Sequence, residues 1–191
     1  MKRILIAILA VALLLVGCAP NGAALEELQS EIAELEEQLA EKEARQNKNE
    51  AIAEFAQQAL ELQRVIMDVR NKWVSWSQQN LPDNYPRYAS RSKELEAVDE
   101  TQKLFYEVKS VITKIEQLYA PLEAIETKRK LLAEGDSLQQ AFVDIIDFYA
   151  APDVRPTSLY DGAWKVIYDD LGEIDKVVRR ELTDLALEYG Q

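Results

Sequence analysis

Leu25, Leu28, Ile32, Leu35 and Leu39 follow one another at alternating steps of three and four residues. That spacing holds them in one stripe of a heptad repeat, so the segment is expected to be helical and to need an apolar neighbour along the stripe. The frame lapses over EARQNKNE, residues 43–50, and resumes shifted by one at Ile52, Phe55, Ala59, Leu62, Ile66, Val69, Trp73 and Trp76. One register discontinuity within otherwise continuous periodicity predicts a single first helix over residues 25–80, ~80 Å long if helical throughout. Pro82 and Pro86 oppose its continuation, which makes residues 81–90 a loop.

A second stripe runs through Leu104, Val108, Val111, Ile115, Leu118, Leu122, Ile125 and Leu132. It predicts a second helix over residues 91–134, kinked at Pro121. The basic run Lys128, Arg129 and Lys130 would complement that helix's carbonyl end before Gly135. Ser137 with Gln140 has the pattern of a capping box for a third helix over residues 137–150. Pro152 and Pro156 separate this from a fourth helix over residues 157–189, loosened at Gly162 and Gly172. If loop 81–90 reverses the chain, residue m of the first helix lies level with about 170 − m of the second. Ile52, Phe55, Ala59, Leu62 and Ile66 then face Leu118, Ile115, Val111, Val108 and Leu104, an apolar match throughout. The lapse at 43–50 comes level with Pro121, and the basic run comes beside Glu37, Glu41 and Glu43. With 48% hydrophobic and 29% charged residues, and only 6 Gly and 6 Pro, the composition is that of a helical chain. The expected fold is all-α: a long antiparallel helical hairpin with coiled-coil character, joined by two C-terminal helices into an elongated three- to four-helix bundle.

The N-terminus has a different character. MKRILIAILAVALLLVG, residues 1–17, has a basic start and an apolar run too short for a comfortable bilayer span, the pattern of an export signal. Leu15, Val16, Gly17 and Cys18 resemble the lipobox of bacterial lipoproteins. That resemblance implies cleavage before Cys18 by signal peptidase II, acyl chains on Cys18 and a short tether over residues 18–24. Each buried methylene of such an anchor contributes ~0.8 kcal/mol. It also implies an exported, membrane-anchored protein. Ala19 lacks the aspartate associated with inner-membrane retention, so in a two-membrane cell the expected place is the outer membrane, facing the periplasm. Otherwise it is the outer face of the cytoplasmic membrane.

Histidine is absent and Cys18 is the only cysteine. Ser-His and Cys-His triads, the usual zinc sites and di-iron bundles of the Glu-x-x-His type are thereby excluded. Asp144 with Asp147, and Asp169 with Asp170, read as solvated helix faces rather than acid pairs or calcium ligands. No catalytic residue, metal or cofactor is expected. The net charge of −12 disfavours nucleic acid and anionic headgroups as partners.

The stretch WVSWSQQNLPDNYPRYAS departs from this acidity. Between Arg70 and Lys93 there are five basic residues against the single acid Asp83. Tyr85, Arg87, Tyr88 and Arg91 are the candidate contact residues at the hairpin tip, and the expected function is a non-enzymatic spacer or adaptor that presents this tip to an envelope protein or an acidic cell-wall polymer. The alternative is a ligand-binding lipoprotein with its site between the third and fourth helices, among Phe142, Phe148, Tyr149, Tyr160, Trp164 and Tyr168. Heptads directly after a lipidated cysteine are similar to the murein lipoprotein of enteric bacteria, but the ending EYGQ offers no lysine for wall attachment. In a parallel homodimer Glu31 at a g position meets Glu36 at the partner's e position, which opposes association. A monomeric bundle is therefore expected over a homo-oligomeric stalk. A descending fourth helix would set Lys176, Arg179 and Arg180 beside Glu26, Glu27 and Glu31.

Overall fold

The computed structural model describes residues 22–81, 90–150 and 157–190. Cys18, Tyr85, Arg87 and Tyr88 lie outside them. The fold is an all-α helical bundle. Helix α1 is Gly22–Asn80, α2 is Arg91–Gln117 and α3 is Ile125–Ala150, entered through a 3-10 turn at Leu122–Ala124. The fourth pass is α4 (Thr157–Lys165), a π-helical turn (Val166–Asp170) and α5 (Leu171–Tyr189) without interruption. The chain divides into two units, Met1–Asn47 and Lys48–Gln191.

In the first unit the heptad leucines face water: Leu28 is 44% and Leu35 52% exposed, with Ile32 and Leu39 half-buried. The second unit holds the core. Ile52, Phe55, Ala59, Ile66, Val69 and Trp73 of α1 are buried with Leu104, Val108, Val111 and Ile115 of α2, the same faces that antiparallel counting brings together. Lys48 pairs with Glu123, which puts the lapse in the heptad frame beside Pro121 as expected. Helices α1 and α2 are thus antiparallel, and the match of apolar stripes is what aligns them.

Proline 121 acts more strongly than a kink. Helix α2 stops at Gln117, Leu118 adopts an extended ψ of 129°, and Pro121 precedes the 3-10 turn. A proline disfavours helical backbone at the preceding residue and supplies no N–H, so the chain leaves the helix ahead of it. It then reverses. Lys128 Nζ donates to the carbonyls of Glu116 at 2.8 Å and Leu118 at 2.7 Å, and Arg91 donates to Tyr149 O at 2.9 Å. Helices α2 and α3 therefore form a hairpin of their own, and the second helix expected over residues 91–134 is in fact two. Leu122 and Ile125, expected in its stripe, are turned out to 82% and 51% exposure.

The later boundaries shift with it. Ser137 caps nothing: it lies inside α3 and its hydroxyl donates to Ala133 O at 2.7 Å, the back-bonding available to a mid-helix serine. Within the second unit the basic run has partners of its own. Arg129 pairs with Glu126 and Lys130 with Glu181, while Lys128 neutralises the carbonyl end of α2. The dipole argument holds, but for the preceding helix.

Gly135 is an interior residue of α3 at which a Cβ would lie 2.8 Å from Ile112 Cγ1 and 3.5 Å from Ile66 Cδ1. It is where α1, α2 and α3 converge. Alanine in a helix normally gains up to about 1 kcal/mol over glycine. Here the clash with a buried isoleucine costs more, so Gly135→Ala is expected to destabilise by about 1 kcal/mol net in urea titration. A gain would show that Ile112 yields freely.

Helix α5 runs antiparallel to α1 and α3: Gln63 donates to Asp175, Arg70 to the carbonyls of Ile167 and Tyr168, and Glu181 meets both Lys130 and Thr127. Lys176 pairs with Glu173 on its own helix. The π turn has a cause in the pattern. Ala163, Ile167 and Leu171 are buried at two successive four-residue steps, which overrun 3.6 residues per turn, and a wider turn takes up the excess.

Candidate functional site

Leu81 and Ser90, which border residues 82–89, lie at the bundle end where aromatic side chains gather. Trp73 is buried, stacked on Trp76 at 5.4 Å and edge-on to Phe142 at 6.1 Å. Across the bundle Phe148 meets Tyr149 and Tyr160, Tyr160 meets Trp164, and Trp164 stacks on Tyr168 at 4.3 Å. Tyr168 Oη closes the circuit on Ser77 Oγ at 3.2 Å. Phe142, Phe148, Tyr149 and Tyr160 are buried, and these rings fill one another's faces as bundle core. The indole N–H groups of Trp73 and Trp164 are buried without an acceptor among the described residues.

The described basic residues between Arg70 and Lys93 are engaged within the chain. Arg70 donates to the carbonyls of Ile167 and Tyr168 in the π turn, where the helical hydrogen bonding is rearranged. Lys72 pairs with Glu107 at 2.7 Å and Lys93 with Glu96 at 2.6 Å, both pairs exposed enough to contribute little. Arg91 is the informative one. Its position at the start of α2 opposes that helix's dipole, yet its guanidinium lies against the carbonyl end of α3, donating to Tyr149 O and to the buried Glu94. It joins two helices, so of the four candidate contact residues the one described has a structural duty, with its side chain still half exposed.

A second group went unrecognised in the sequence. Glu134 is fully buried, and among the described residues neither carboxylate oxygen has a hydrogen-bond partner. Burial first, and then the nearby Asp175 carboxylate, push its carboxyl up to about 8. Beside it Gln63, also buried, donates to Asp175. The signal was present: Leu131, Glu134, Leu138, Ala141, Ile145 and Phe148 are spaced as one core stripe, and an acid occupies the second place. Along the outer edge of this group a cavity of about 250 Å³ is lined by Arg64, Met67, Asp68, Asn71 and Arg179 with Gln63 and Asp175. Among the described residues no group of three or more His, Cys, Asp or Glu side chains is placed to hold a metal ion.

Comparison with protein families, with curated proteins and with solved structures finds no match for this chain.

Proposed function

We propose that this chain is a lipid-anchored, non-enzymatic protein of the bacterial cell envelope, a helical spacer or adaptor that presents the loop at residues 81–90 to a protein or an acidic wall polymer. The observation that carries this reading is the continuity of α1. It begins at Gly22, four residues after the acyl-attachment candidate Cys18, and ends at Asn80 on the edge of the loop. The remaining three passes brace the part of that helix from Lys48 onward. The engagement of Arg70, Lys72, Arg91 and Lys93 within the bundle narrows the recognition surface to Tyr85, Arg87 and Tyr88. In the alternative reading, the aromatic group between α3 and α4 receives a small ligand. The mutual packing of those rings favours the first reading.

The test is crosslinking in intact cells from a photoreactive residue at Tyr88, beside the Cys18→Ser variant. Capture of one envelope component is expected, together with loss of fatty-acid labelling and of processing in the variant. Normal labelling of Cys18→Ser would overturn the anchor, and thermal stabilisation of the purified protein by a small metabolite would favour the ligand-binding reading.

A further inference from the structure

Leucines at heptad spacing on a helix usually mean a partner helix, and among the described residues of the first unit α1 is the one element present. Helix α2, counted on to cover part of α1, turns back at residues 118–121, and the fourth pass ends at Tyr189, with Gly190 beside Ala53. Leu28 and Leu35 stand 44% and 52% exposed. Below the seam the frame continues through Lys42 and Gln46, polar residues in core places, so the apolar face stops at Leu39.

The charges beside the seam select its occupant. Residues 22–47 carry eight glutamates against Lys42 and Arg45, with Glu31 and Glu36 at the flanking g and e positions. A second copy laid parallel would set Glu31 against Glu36 on both sides of a core only five apolar residues long. Leucine at the a positions Leu25 and Leu39 also lacks the β-branching that favours parallel pairs. A helix with lysine or arginine at its own flanking positions meets the same seam with every such pair attractive.

We propose that residues 28–39 form a docking face for a helix of another polypeptide, one bearing basic residues beside its apolar heptad positions. This surface is separate from the tip loop, and the inference does not depend on lipid at Cys18 or on the tip's partner. So short a core gives moderate affinity, and the flanking charges decide between partners.

The test uses the full-length protein in mild detergent and two labelled peptides of three heptads with leucine at a and d. One peptide has lysine at every e and g position and the other glutamate. The lysine peptide is expected to bind at least about tenfold more tightly, with affinity falling as salt rises. A variant carrying both Leu28→Asp and Leu35→Asp should lose that binding and keep the melting curve of the bundle, because neither leucine belongs to the buried core. Since the variant is more acidic, unspecific attraction to the lysine peptide would increase, so loss of binding reports the seam itself. Equal affinity for both peptides, binding to neither, undiminished binding by the variant, or a dimer in light scattering that the variant dissolves would each overturn the proposal.

Discussion

Trp73→Ala is expected to remove about 3–5 kcal/mol of unfolding free energy, read as a fall in the urea midpoint by far-ultraviolet circular dichroism with the slope unchanged. Trp73 is fully buried and is wedged between Trp76 and Phe142, so truncation leaves a void at the centre of the aromatic end. The loss comprises the transfer of a large ring to water and the contacts forfeited around the cavity. Trp73→Phe separates size from polarity. It also discards an indole N–H that is buried without an acceptor among the described residues, which offsets part of the packing loss. The phenylalanine variant should therefore lie much nearer the parent than the alanine one. If the two fall together, the packing of Trp73 is not what stabilises this end.

Stability should also fall as the solution becomes more alkaline, through Glu134. Its carboxyl is raised from 4.5 to about 8 by burial and by Asp175, so the folded chain holds a proton that the unfolded chain releases. Below pH 4.5, where both states hold the proton, the group adds no pH-dependent penalty. Between there and about 8 it destabilises the fold by about 1.4 kcal/mol per pH unit, levelling off once the folded form ionises too. Glu134→Met replaces a buried carboxyl with an apolar chain of similar length. We expect it to stabilise the protein by roughly 2–4 kcal/mol at pH 7.5 and by distinctly less at pH 4.5, where only the desolvation of the neutral carboxyl is relieved. The difference between variant and parent across pH isolates this carboxyl from the other acids, which both share. An identical pH dependence in the two proteins would mean that Glu134 reaches water or a partner.

The helical class and the pairing of α1 with α2 were legible because both rest on the same evidence, the spacing of apolar residues. Antiparallel counting brought Ile52, Phe55, Ala59 and Ile66 to faces that are buried, and set the frame break beside the residues that follow Pro121. What the spacing does not carry is the strength of an interruption. A proline within an apolar stripe is compatible with a kink or with a reversal, and only the packing of Gly135 against Ile112 and the reach of Lys128 to the end of α2 decide for reversal. Once the chain turns there, Gly135 is no longer a terminator and Ser137 is no longer a cap. Glu134 was overlooked for a related reason: in a chain with 34 acids, an acid at a core position reads as one more surface charge unless the stripe is counted through it. At the tip, Tyr85, Arg87 and Tyr88 lie outside the described residues, whereas Arg91 is explained by a helix distant in sequence.

The direction of α1 through the bundle has a mechanical side. Between Lys48, where the second unit begins, and Asn80 the chain is one unbroken helix, and the other three passes lie alongside it. Tension applied between those two points runs down the axis of α1 and loads its neighbours in shear. Many buried contacts along the helix must then yield together, whereas a pull across the bundle would peel them apart in sequence.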